Sequence, residues 1–96
     1  MEQKYSYPDH KYEVGRIILG LRTRTKLTQT ELAKHLGVNI RSIQNWEAGE
    51  NYPKDNRLRT LIETFLRLGG FALGYEREEA QKLWEQVNQD APQKFG

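Results

Sequence analysis

The stretch "LTQTELAKHLGVNIRSIQNWEAG", residues 27–49, carries two helical patterns separated by a single glycine and a short turn. Thr28-Gln29-Thr30-Glu31 is a T-x-x-E capping box. In it the Glu31 amide donates to the Thr28 hydroxyl and the Thr28 amide donates to the Glu31 carboxylate. Leu27 and Leu32 occupy the N′ and N4 positions of a hydrophobic staple. Leu32, Ala33 and Leu36 fall on one face, and Gly37 supplies the left-handed residue that closes a helix. Asn39 is a favourable N-cap for the next helix. At 100° per residue, Ile40, Ile43, Trp46 and Glu47 share one side of that helix, and Arg41, Gln44, Asn45 and Ala48 share the other. Gly49 ends it.

Outward from this unit the same periodicity recurs. Val14, Ile17, Ile18 and Leu21 stand at i, i+3, i+4 and i+7, which predicts a helix with one buried stripe. After the polar loop "ENYPKDN", Leu58, Leu61, Ile62 and Phe65 predict a fourth helix that ends at Gly69-Gly70. Ala80, Leu83, Trp84 and Val87 predict a fifth, from about Tyr75 to Gln89, with Trp84 read as cover for the core rather than as a dimer face. "GGFALG" at 69–74 follows a helix rather than a strand, so it reads as a hinge and not as a nucleotide loop. The expected fold is all-α, a compact five-helix bundle. Its organisation is a flexible N-terminal arm over 1–12, one domain over 13–90 and a tail or linker over 91–96.

Composition narrows the chemistry. Ninety-six residues with 36% hydrophobic side chains suit a single small core. No run approaches the ~20 apolar residues of a membrane span, and "MEQKYSYPDHKYE" lacks an apolar signal core. Cysteine is absent, which excludes a disulfide framework and thiolate metal sites. A cytoplasmic protein is expected. His10 and His35 lie far apart without companions at metal spacing, and neither Ser6 nor Ser42 sits in a nucleophile elbow. The expectation is therefore no enzyme, no metal and no cofactor. The net charge of +2 is uneven: residues 11–61 carry ten Lys/Arg against five Asp/Glu. The basic excess sits around residues 27–49, where an anionic partner would need it.

Two helices joined at a tight glycine turn, with small Ala33 permitting close approach, form a helix-turn-helix. The second would pack through Ile43 and Trp46 and offer Arg41, Gln44 and Asn45 outward. Arg bonds guanine O6 and N7, and Asn or Gln bonds adenine N6 and N7, in a major groove wide enough for one helix. A helix that spends its surface on hydrogen bonding makes sense when a base stack supplies the partners.

"LRTRTKLTQTELAKHLGVNIRSIQNWEAGENYP" strongly resembles the Cro/C1-type (XRE-like) helix-turn-helix family of phage repressors and bacterial regulators, over about Val14 to Phe71. The resemblance implies a lambda repressor-like DNA-binding domain whose third helix enters the major groove for transcription regulation. Carried onto this chain, it implies that Ile40, Arg41, Gln44 and Asn45 face bases. Gln29, Asn39 and Ser42, with Asn51, Tyr52 and Lys54 of the following loop, would face phosphates. Ile40 stands where many members place a polar reader and is suited to a thymine methyl or to packing. The family commonly joins the arginine of "LR" to the glutamate of "WE", which implies an ion pair between Arg22 and Glu47. The partner implied is double-stranded DNA, with a possible homodimer on it. A looser likeness, in "NWEAGENYPK" and "REEAQKLWEQVNQDAP", is to the N-terminal helix-turn-helix modules of bacterial STAND-type signalling ATPases. It implies a different reading: a protein-interaction module with further domains in a longer chain. No G-x-x-x-x-G-K-[ST] loop is present in these residues.

Overall fold

Three of the helices end at a glycine in the left-handed region. The computed structural model describes residues 10–88 and Phe95. It contains five helices, α1 (His10–Arg24), α2 (Gln29–Leu36), α3 (Ile40–Ala48), α4 (Asp55–Leu68) and α5 (Glu76–Val87), and no strand among the described residues. The capping box at the start of α2 is formed: Glu31 N donates to Thr28 Oγ1 at 3.0 Å and Thr28 N donates to Glu31 Oε1 at 2.8 Å. Gly37 closes α2 with φ 68°, in the left-handed region where a side chain is disfavoured. Val38 N then reaches Ala33 O at 3.0 Å.

The core takes a side chain from every helix. Ile18, Leu32, Ile43, Leu58, Leu61, Ile62, Phe65 and Leu83 are all but fully buried. Burying such a residue contributes about 1.5–3 kcal/mol each before conformational entropy is set against it. α1 crosses α3 most closely at Gly15. A Cβ there would lie 2.5 Å from the Trp46 carbonyl oxygen and 2.7 Å from that of Glu47, so only hydrogen fits. This crossing holds the inner face of α3 and leaves its outer face uncovered.

α5 lays Ala80, Leu83 and Trp84 into the core against α4 and α1. Arg59 of α4 stacks over the Trp84 ring at 5.0 Å and over Phe95 at 5.5 Å. Three features differ from the sequence reading. First, α1 begins at His10, inside the stretch assigned to the arm, because His10 Nε2 donates to the Gln86 carbonyl at 2.6 Å and ties this end to α5. Residues 1–9 of the expected arm lie outside the described residues. Second, Phe95, assigned to the tail, packs on Trp84 with ring centroids 5.4 Å apart; the remainder of 91–96 lies outside the described residues. Third, "GGFALG" is an anchored turn rather than a bare hinge. Phe71 is buried, Arg24 Nη1 donates to Gly70 O at 2.8 Å, and Ala72 N and Gly74 N donate to Glu79 and Glu76 carboxylates. An aromatic side chain in the core and two acceptors from the next helix fix a segment that glycine content alone makes look loose.

Candidate nucleic-acid interface

α3 is anchored from one side and open on the other. Asn39 caps it, its Oδ1 accepting from Arg41 N at 2.8 Å, and Gly49 ends it at φ 81°. Ile43, Trp46 and Glu47 are buried. Arg41 and Gln44 are exposed and Asn45 is half-buried. Among the described residues none of these three side chains has a hydrogen bond or ion pair within the chain. A rigid helix thus presents one guanidinium and two carboxamides with their donors and acceptors uncommitted. Ile40 stands at the helix start, on the edge of the buried side, with 37% of its surface exposed.

Asn45 also lines a hollow of about 300 Å³ with Ser42, Trp46, Asn51, Tyr52, Lys54 and Arg57. Four of the six residues expected at phosphates, Ser42, Asn51, Tyr52 and Lys54, therefore converge beside α3. Tyr52 is positioned by an edge-on contact with the His10 ring, centroids 6.1 Å apart. Gln29 and Asn39 are placed apart from the hollow. Asn39 spends its side-chain oxygen as the α3 cap, and Gln29, at the start of α2, donates from Nε2 to Glu47 Oε1 at 2.9 Å.

Arg57 was not singled out from the sequence. It is exposed and lies in the first turn of α4, three residues after Lys54, and the two cations line both this hollow and a second one with Leu36, Asp55, Asn56 and Thr60. The signal was available: residues three apart at a helix start share a face.

The internal supports of this face are polar. Arg22 Nε donates to Glu47 Oε2 at 2.6 Å and Arg22 Nη2 to Glu47 Oε1 at 3.0 Å, a two-pronged pair with both side chains largely buried. Arg22 Nη1 reaches back to Leu27 O at 2.9 Å, at the residue before the α2 cap. One arginine of α1 thereby bonds both to α3 and to the residue before the α2 cap. Thr28 and Glu31 cap α2, Ala33 is buried on the side of α2 that meets the core, and Gly37 makes the turn. Among the described residues no three His, Cys, Asp or Glu side chains cluster as metal ligands, and no helix is long and apolar enough to cross a membrane.

A family model described as helix-turn-helix matches residues 11–65, more than half of the chain and all of α2 and α3. The chain belongs to the Cro/C1-type, XRE-like helix-turn-helix family, a family of DNA-binding domains in transcription regulation. No curated protein and no solved structure matches it.

Proposed function

We propose that this chain binds double-stranded DNA sequence-specifically, with α3 in the major groove, and acts in transcription regulation without catalysing a reaction. One observation carries the reading. α3 is locked on its inner face by Ile43, Trp46 and Glu47 while Arg41, Gln44 and Asn45 stand outward with no partner among the described residues. Arg41 and Gln44 reach base edges first, Asn45 lies at the flank next to the hollow, and Ile40 meets a thymine methyl. Lys54 and Arg57, with Ser42, Asn51 and Tyr52, take the adjoining phosphates and set the register of the helix.

Two copies are part of the reading. One α3 offers three polar readers, together roughly 3–9 kcal/mol of discrimination, and reaches the gap of about 4–10 kcal/mol between specific and non-specific binding only when every contact is near its best. Two copies on half-sites about 34 Å apart close that gap. Among the described residues no helix carries a stripe long enough for a coiled coil, so pairing is weak in solution and completed on DNA.

The test is selection of duplexes from a random pool, followed by salt titration of the best binder. The expected result is an enriched two-fold-symmetric sequence, with log Kd rising against log salt by about 0.9 per phosphate contact. Absence of duplex binding at low salt overturns the reading and leaves a protein-interaction module as the function of the fold.

A further inference from the structure

The carboxylate of Glu47 does more than its ion pair requires. Arg22 already satisfies both of its oxygens, Nε on Oε2 at 2.6 Å and Nη2 on Oε1 at 3.0 Å. Neutralisation of the buried charge is complete without a third donor. Yet Gln29, from the first turn of α2, places its Nε2 on Oε1 at 2.9 Å. The bond spans eighteen positions of sequence and links the two helices of the DNA-binding unit through their side chains.

Its geometry fixes the direction of the amide. A carboxylate only accepts, so the nitrogen of the Gln29 carboxamide faces Glu47 and its oxygen cannot. One N–H of Nε2 is spent inward. The other N–H has no partner among the described residues, and Gln29 remains half-exposed. A glutamine free at this position has three rotatable bonds to order on meeting a ligand and two ways round to present its amide. Here both choices are made in the free protein, since Glu47 is itself held from two sides by Arg22 and anchored in the core at 5% exposure.

We propose that Glu47 is a positioning residue for DNA binding: by accepting from Gln29 Nε2 it presents the second N–H of that nitrogen to a backbone phosphate. This rests on the DNA-binding reading above and adds a role to the Arg22–Glu47 pair beyond joining α1 to α3. The chain Arg22–Glu47–Gln29–phosphate orders the contact before DNA arrives, so the ordering cost is removed from the binding step. Because Gln29 is uncharged and touches phosphate rather than bases, its contribution is the same for every sequence and leaves the salt slope unchanged.

The experiment is a double-mutant cycle on the full chain, with Gln29→Ala, Glu47→Gln and the double variant. Cognate and scrambled duplexes are titrated below the melting transition of every variant, and melting temperatures are measured in parallel. Gln29→Ala is expected to weaken both duplexes about tenfold, the loss of one hydrogen bond to a charged group. Glu47→Gln, whose amide no longer imposes a nitrogen-inward orientation on Gln29, is expected to weaken both severalfold. The double variant is expected to be no weaker than Gln29→Ala, because the two residues act through one contact. A structural role alone moves the melting temperature and not this coupling.

If Glu47→Gln is unfolded, the wild-type protein still decides the matter. The side-chain amide of Gln29 in nitrogen-15 spectra is expected to be ordered without DNA, and one of its two protons is expected to shift when duplex is added. Wild-type affinity in Gln29→Ala, a double variant as weak as the product of the singles, or an amide that is mobile before binding each overturns the proposal. Failure of the wild-type chain to bind any duplex overturns the underlying reading instead, so the two failures are distinguishable.

Discussion

α3 and α5 are both amphipathic helices, of nine and twelve residues, and they differ in the polar groups they leave outward: Arg41, Gln44 and Asn45 with no carboxylate among them on α3, and Arg77, Glu78 and Lys82 of mixed charge on α5. On α5, Glu76 and Glu79 accept from amides of the preceding loop, Gln81 donates to Glu85, and the capping Asn88 just past its end donates to the Trp84 carbonyl. These side chains serve the helix and the turn beside it. On α3 the inward Glu47 is fully engaged by Arg22 and Gln29, while the outward Arg41, Gln44 and Asn45 bond to nothing among the described residues. The family match includes α3 and stops before α5. A polar side chain held by its own fold serves the scaffold. One left over on a rigid, anchored helix is available to a partner.

The largest effect expected from testing this contrast lies on the hidden side of α3. Glu47→Ala leaves Arg22 largely buried without its counter-charge and should cost about 3–5 kcal/mol of stability. In a domain of this size that lowers the melting temperature by roughly 10 °C or more, read by circular dichroism. The order of base preferences in duplex selection should survive, since the readers are untouched; an altered preference would show that the two faces of α3 are not independent.

Leu83→Ala, in the fully covered face of α5, should cost about 2–5 kcal/mol by removing packed atoms and leaving a cavity. At a temperature where the variant is folded, its duplex affinity should equal that of the parent chain. A fall in affinity there would break the division between scaffold helix and reading helix.

Arg41→Ala and Asn45→Ala should do the converse. Their melting temperatures should reflect changes within about ±0.5 kcal/mol. Each should lose roughly 1–3 kcal/mol of specific binding and relax the preference at one base pair, seen in a panel of single-base variants of the selected duplex. Two variants that bind the cognate duplex as well as the parent would remove α3 from base reading.

The smallest effects belong to the hollow. Lys54→Ala and Arg57→Ala should each weaken cognate and scrambled duplexes alike and lower the salt slope by about one unit. A sequence-dependent loss from either would move it from the phosphates to the base edges.

The caps and periodicities explain why so much of the fold was legible. Thr28 with Glu31, Gly37, Asn39, Gly49 and Gly69 act within three to five residues of themselves, and the observed ends of α2, α3 and α4 fall at them. The outward set of α3 was legible for the same reason, since a 100° step is a local property. Arg57 and Phe71 were not. One lay just past a loop boundary, and the other sat between glycines whose local signal is flexibility while its burial depends on the assembled core.

The sequence by itself determined five helices, their register, and which face of α3 is polar, because each of these follows from contacts a few residues apart along one helix. Only the tertiary structure decided that Gln29 bonds Glu47 across eighteen positions, that Arg57 joins Lys54 at one hollow beside Asn45, and that residues 69–74 form an anchored turn. Those arrangements depend on the angles at which helices cross. Crossing angles are set by how buried side chains such as Ile18, Ile43 and Phe65 interlock around Gly15, which no single segment specifies.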